Sequence, residues 1–419
     1  MNSSLSDLAT NITEKVVGAA KVADTPYVGL EHLITDTPKI AGSAPASTSV
    51  SVNTVFRAGD TLFGKLRPNL RKVALADFDG YCSTDILVLR PANGNSASFL
   101  SHQLRSRQVL DFAAGTAFGT KMPRTSWSLL QKLSVYAPPV PEQRRIAEVL
   151  DTLDDQIRAT EQILSKLHLV RHGLLIDLMT RGIDEKGKLR DPSSRSSDFT
   201  ESPIGQLPRV WQVKQLGDLL TPVSPAMRSG PFGSALLKHE LVDAGVPLLG
   251  IDNVHIDRFV SDYVRFVTPA KARELARYRV RPRDVMITIM GTVGRACLVP
   301  DDIGEALSSK HVWTMSFDQE RYLPYLASLQ LNHSPWARSH LRKDEQGGIM
   351  SAIRSDTLRS LLLPVPPIEE QYRIASILQE ADKRLTKEAG ELAKLRLARG
   401  GLANDLLTGR VRVLGEAEV

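Results

Sequence analysis

The chain has 419 residues, of which 42% are hydrophobic and 24% charged, and carries a formal net charge of +6. That balance excludes a wholly disordered chain and, at roughly 100–200 residues per domain, predicts two to four domains. Two distant cysteines, Cys82 and Cys297, exclude a disulfide framework and a Cys-rich zinc site. No apolar run approaches the ~18 residues of a membrane span. The polar start, Met1 to Thr10, lacks the order of a signal peptide, so the expected location is the cytoplasm.

The charge is unevenly placed. Residues 1–137 carry a net +4 and residues 201–365 a net +3, whereas 138–200 and 366–419 stand at −1 and zero. A surplus confined to two large segments suits surfaces that meet a polyanion.

In residues 1–137, short apolar runs bounded by Gly, Pro, Asp or Asn predict strands at Thr61-Leu62-Phe63, Lys72-Val73-Ala74-Leu75 and Ile86-Leu87-Val88-Leu89. A helix is expected over 98–112, and the mixture predicts an α+β domain. Two groups of donors stand out. Lys65, Arg67, Asn69, Arg71 and Lys72 follow a strand, and Lys121, Arg124 and Ser126 follow a Gly-rich loop. Such residues bind phosphates and, when delivered into a groove, base edges.

Residues 138–200 open with Pro138-Pro139, which ends the preceding element, and place Glu142 in a first helical turn. Apolar spacing then alternates four and three through Ile146, Leu150, Leu153, Ile157, Thr160, Leu164, Leu167, Arg171, Leu174 and Leu178. This is a heptad seam. It predicts a helix of about 39 residues, roughly 58 Å long, ending before Gly182. Residues 183–203 are rich in Ser, Asp and Pro and read as a polar linker, with Asp184-Glu185-Lys186 as a solvated charge run.

In residues 201–365 a strand is expected over 285–289 and a helix over 321–331. Candidate polyanion contacts are Arg228, Ser229 and Ser234 around a Gly-rich segment, Thr292 with Arg295, and the loop Ser309, Lys310 and His311. Five arginines between Arg273 and Arg283 are a candidate phosphate path. His239, His255 and His311 lack metal-ligand spacing.

Residues 366–419 repeat the first connector. Pro138-Pro139-Val140-Pro141-Glu142-Gln143-Arg144-Arg145-Ile146-Ala147 returns as Pro366-Pro367-Ile368-Glu369-Glu370-Gln371-Tyr372-Arg373-Ile374-Ala375, and the offset of 228 holds without a gap to Thr180 and Thr408. It also pairs Gly119 with Gly347 and Met122 with Met350. The seam recurs at Ile374, Leu378, Ala381, Leu385, Glu388, Leu392, Leu395, Arg399, Leu402 and Leu406, with Gly409 beyond it. Parallel pairing of the two seams would set Arg171 beside Arg399, so an antiparallel two-helix coiled coil is expected, with Arg171 near Gln379 and Glu380 and Arg399 near Asp151. The organisation reads as domain 1–137, connector 138–200, domain 201–365, connector 366–419.

No phosphate loop, Gly-x-Ser-x-Gly, His-Glu-x-x-His or Asn/Asp-Pro-Pro-Phe/Tyr motif occurs, so no catalytic or metal-binding residue is assigned.

Two basic segments divided by repeated Pro-Pro-x-x-Glu-Gln-x-x-Ile-Ala helices resemble the specificity (S) subunit of type I restriction–modification systems. Ser229-Gly230-Pro231-Phe232-Gly233-Ser234-Ala235-Leu236 and Ile204-Gly205, Leu207-Pro208 and Trp211 ahead of Leu216-Gly217-Asp218-Leu219 look like parts of that family's target-recognition domain. The resemblance implies a non-catalytic, DNA-binding subunit. Two pseudo-repeated target-recognition domains would each read half of a split double-stranded target, with the coiled coil fixing their spacing. It further implies two modification (methyltransferase) subunits that hold S-adenosylmethionine, restriction motor subunits for cleavage, and no cofactor on this chain. The alternative is a coiled-coil protein-interaction scaffold without sequence-specific DNA binding. The first domain has no counterpart of residues 204–211, and the tail after Thr408 is expected to complete that region.

Overall fold

The computed structural model describes residues 2–18, 22–342 and 352–413; Gly347 and Met350 of the repeat lie outside them. The chain forms two compact units, Met1–Leu164 with Lys387–Val419, and Ser165–Thr386. Each long helix contributes a segment to both.

In the first unit, strands Ala9–Ile12, Ile86–Pro91, Thr61–Gly64 and Val73–Leu75 make an antiparallel sheet in that order. Alternate residues point to opposite faces. Phe63, Leu87 and Leu89 therefore pack with Phe99, Leu100, Leu104 and Val109 of the following helices, and with Ile146, Leu150, Leu406 and Leu407 of the long ones. Leu62, Ile86 and Val88 face the other way, onto Val28 and Phe56 of a second sheet. Within that sheet Pro26–Val28 runs parallel to Gly80–Ser83. The helix expected over 98–112 is divided into Ala97–Leu104 and Arg107–Gly115. Ser106 breaks it, because its hydroxyl caps the second helix by accepting from the Val109 amide at 3.3 Å.

The second unit repeats this plan. Its sheet runs Met227–Ser229, Val312–Met315, Val285–Thr288, Ala296–Leu298. Val285 and Ile287 enter one core and Met286, Cys297 and Val312 another. The strand Val246–Leu249 is again parallel to its partner, Leu307–Ser308. The helix expected at 321 begins at Pro324 and runs to His333, since proline fits the first turn, where no amide partner is needed.

The two long helices span Val140–Thr180 and Ile368–Leu407. Gly182 and Gly409 follow them at φ of +60° and +72°, the left-handed geometry that ends a helix. Within each unit the helix segments run antiparallel. In the first, Arg399 binds Asp154 at 2.9 Å and Arg396 binds Glu161 at 2.6 Å. In the second, Arg171 binds Asp382, and Glu370 lies against Ile183. The register is about one helical turn from the expected one, because each guanidinium takes a carboxylate that the repeat supplies twice, Asp154 and Asp382, in place of Asp151 or Gln379 and Glu380.

Residues 183–203 are mostly exposed, Glu185 and Lys186 among them, but the segment is anchored at several points. Ile183 and Phe199 are buried, and Phe199–Ser202 pairs with Gly205–Pro208. Arg190 forks onto the buried Glu370, with Nη2 to Oε2 at 3.0 Å, and the Trp211 indole donates to the same carboxylate at 3.1 Å. The first unit solves the same problem with the tail. Glu142, also buried, accepts from Arg412 at 2.7 Å and from the Tyr136 hydroxyl at 3.1 Å. Tyr136 belongs to the strand that pairs with Asn2–Ser4, so the tail does close onto the N-terminal strand pair.

Candidate nucleic-acid interface

In the second unit, strand register gathers the polar loops on one rim. Ser229 lies opposite Trp313, Thr288 opposite Val312, and Ile287 opposite Ala296. The loops 290–295 and 309–311 and the end of the first strand therefore emerge together. The parallel pair brings in Leu249, whose carbonyl accepts from the Ser309 amide at 2.8 Å. Gly230 is required here: a Cβ would stand 2.1 Å from the Ser308 carbonyl oxygen.

Lys310 is exposed on this rim and His311 half-buried. Burial, then the charges of Lys310 and Arg265, holds the His311 pKa below its ordinary value. Arg265, which gives no signal in the sequence because it is a lone arginine in an irregular stretch, pairs with Asp252 at the same place. Arg295 is half-buried, with no side-chain partner among the described residues. Ser229 and Ser309 are buried; the Ser229 hydroxyl donates to the Lys310 carbonyl at 3.3 Å, which shapes the loop. Thr292 turns the adjacent loop, where its carbonyl accepts from the Thr288 hydroxyl. Ser234 sits on the exposed turn Gly233–Ala235, and no hydrogen bond among the described residues ties it to the rim.

Two expectations fail here. Arg228 is only 3% exposed and its donors go to Asp284, Ser316 and the Arg279 carbonyl, so it is a core ion pair with nothing left for a phosphate. The run from Arg273 to Arg283 lies ahead of Val285–Thr288, at the strand end opposite Lys310. Arg279 there pairs with Glu305 at 2.6 Å and Arg283 with Asp301 at 2.7 Å, so it is no continuous phosphate path.

The first unit builds the equivalent rim from the loop between Thr61–Gly64 and Val73–Leu75. The Gly64 amide donates to the Lys72 carbonyl at 2.8 Å and the Lys65 amide to the Asp85 carbonyl at 2.9 Å. Arg67 and Arg71 flank the short turn Pro68–Leu70, each at φ of 51°. A left-handed non-glycine residue costs ~1–2 kcal/mol, so the loop is held in this form by its surroundings. Arg67, Asn69 and Lys121 are exposed and Lys65 half-buried, without side-chain partners among the described residues. Arg71 lies 3.6 Å from Asp111, both well exposed, which leaves its charge largely available. Lys72 and Arg124 are more committed. Lys72 Nζ donates to the Leu30 carbonyl at 2.7 Å, and Arg124 grips Asp85 at 2.9 and 3.2 Å. The Ser126 hydroxyl shares a hydrogen with Ser128 at 2.8 Å.

Among the described residues no group of histidine, cysteine and carboxylate side chains could hold a metal, and no helix is long and apolar enough to cross a membrane.

Comparison with known proteins agrees with this duplicated plan. The pattern of the type I restriction modification DNA specificity domain matches residues 52–169 and again 273–397. The chain belongs to that family, the type I restriction–modification specificity subunits. It is 24% identical over 323 residues to the type I restriction enzyme MjaVIII specificity subunit of Methanocaldococcus jannaschii, covering 75% of this chain and 70% of that protein. It is 24% identical over 255 residues to the EcoBI specificity subunit of Escherichia coli, covering 60% and 52%. The crystal structure of the type I S subunit from M. genitalium superposes with a TM-score of 0.59 at 15% identity, covering 97% of this chain and 96% of that one. A chain from a structure describing assembly and conformational transition of a type I system gives 0.55 at 19% identity, covering 98% of each. At these identities the structures speak for the fold.

Proposed function

We propose that this chain is the DNA-reading subunit of a type I restriction–modification complex, each unit recognising one half of a bipartite double-stranded target. The observation that carries the reading is that one strand plan is built twice, and in both copies the loops at the same sheet rim present basic and polar side chains. Lys65, Arg67 and Arg71 occupy it in the first unit, and Lys310, His311 and Arg295 in the second.

The long helices, read as a coiled coil, would set the distance between half-sites. Forty residues at ~1.5 Å each give about 60 Å, and at ~3.4 Å per base pair that is roughly 18 base pairs, a scale for the whole bipartite site and not a count of the bases between its halves. The same helices would dock two methyltransferase subunits. Methylation, with S-adenosylmethionine, and cleavage, with motor subunits, would then belong to those partners, working in the cytoplasm, and this chain would supply address without chemistry.

The test is selection from a random DNA library by the chain assembled with its methyltransferase subunits. Two fixed blocks separated by a constant unread gap are expected, and exchange of residues 201–365 for those of a relative should change one block alone. Recovery of unenriched DNA would overturn the reading.

A further inference from the structure

Residues 118–124 of the first unit form a closed loop that the basic rim alone does not explain. Its neck is one antiparallel bridge: the Phe118 amide donates to the Arg124 carbonyl at 3.1 Å and the Arg124 amide to the Phe118 carbonyl at 2.9 Å. Behind the neck, the Arg67 amide donates to the Pro123 carbonyl at 2.7 Å, and the Arg124–Asp85 fork braces the base. Gly119, at φ of +103°, supplies a conformation open to few other residues. The loop is thus fixed to the loop that carries Arg67.

All five residues from Phe118 to Met122 are exposed. Phe118 is 63% and Met122 48% exposed, with Lys121 between them. A floppy loop would fold such side chains back onto the protein. Here the backbone is pinned and holds Phe118 at its neck and Met122 farther along in water beside cations, which suits a partner that is anionic outside and apolar within reach.

We infer that this loop is a reading finger for the first half-site, with Phe118 and Met122 contacting thymine methyl groups in the major groove and Lys121 a neighbouring phosphate. The inference rests on the DNA-reading role proposed above. Groove dimensions choose the groove. The finger is two backbone strands wide, which the ~12 Å major groove admits and the ~6 Å minor groove does not. The apolar group displayed in the major groove is the thymine C5-methyl.

The experiment uses the full chain assembled with methyltransferase subunits and the DNA it selects. Each thymine of the first half-site is replaced in turn by deoxyuracil, which removes the methyl and keeps the pairing. For the native chain at least one replacement should weaken binding about fourfold, the worth of one buried methyl. The same replacement should leave the Phe118→Ala, Met122→Ala double variant unaffected, while that variant still reads the second half-site and melts at the native temperature. A first half-site without thymine, or equal weakening by deoxyuracil in variant and native chain, would overturn the finger and leave the DNA-reading role standing. Failure of the native chain to select any sequence would instead strike the role itself.

Discussion

Arg399 reaches across from the second long helix to Asp154 of the first, with Nε 2.9 Å from Oδ1, and Asp154 is shared with Arg105 at 3.2 Å. Asp154 is 8% exposed. Burial would raise its pKa, but the hydrogen bond and charge of Arg399, with the charge of Arg105, more than offset that and hold it below the ordinary range. The second unit repeats the arrangement with a different charge balance: Arg171 lies between Asp382 and Asp257, and Asp257 also holds His333 at 2.6 Å.

The sharing predicts an asymmetry. Asp154→Ala removes the carboxylate that both guanidinium groups contact, leaving only the more distant charges of Asp36 and Asp151 near Arg105, and should cost about 3–5 kcal/mol. Arg399→Ala leaves Asp154 still paired with Arg105 and should cost about 1–2 kcal/mol. Urea unfolding measures both; equal costs would contradict the shared carboxylate.

The tail predicts a pH dependence. The Arg412 hydrogen bond, against the opposing effect of burial, holds the Glu142 carboxyl below its usual range. A carboxyl depressed on folding stabilises above its unfolded pKa, about 4.3 for glutamate, and loses that contribution as pH falls through the folded value. Arg412→Ala should therefore lower stability at pH 7, only modestly because Arg412 is half-exposed and its pair is screened by solvent. The difference from the native chain should vanish in acid, below the folded pKa. Thermal melts across pH 2–8 check this, and a difference that persists unchanged in acid would refute it.

Arg67→Ala with Arg71→Ala should weaken binding to the first half-site and reduce the dependence of log K on log salt by ~0.9 for each phosphate no longer neutralised. Stability should change little, since their only ion pair among the described residues is the exposed one with Asp111. Titrations at several salt concentrations, with each half-site scrambled in turn, separate the two effects.

His311 offers a signature in the second unit. Its depressed pKa leaves it neutral at pH 7, and a proton gained on acidification would add a charge-assisted donor beside DNA. Affinity for the second half-site should rise several-fold as pH falls below the ordinary histidine range of about 6.5. His311→Gln should flatten that rise, and binding that ignores pH in the native chain would exclude His311 from the contact.

Periodicity was the legible part of this molecule. Heptad spacing marks Ile146 to Leu178 because one apolar stripe must be covered whatever covers it, and Gly182 and Gly409 mark the ends because they adopt positive φ. The strands at 61–64, 73–75 and 86–91 were legible for the same reason, being short apolar runs between turn residues. Charge was the illegible part. Arg228 and Arg67 look alike in a string of letters, yet one is spent on Asp284 and the other stands in water. Only the strand register decides which rim an arginine occupies. Within the exposed stretch 183–203 the exception was hidden for a related reason: Arg190 turns inward and, with Trp211 beyond the stretch, satisfies the buried Glu370.

The division of the chain has a consequence for its synthesis. The second unit is one uninterrupted stretch, Ser165–Thr386, whereas the first needs Lys387 onward to cover Ile146 and Leu150 and to neutralise Asp154 and Glu142. Translation runs from the N-terminus, so the unit begun first is finished last. Until the ribosome releases the second helix, its apolar helix face waits uncovered, and that interval is when a nascent chain most needs a chaperone.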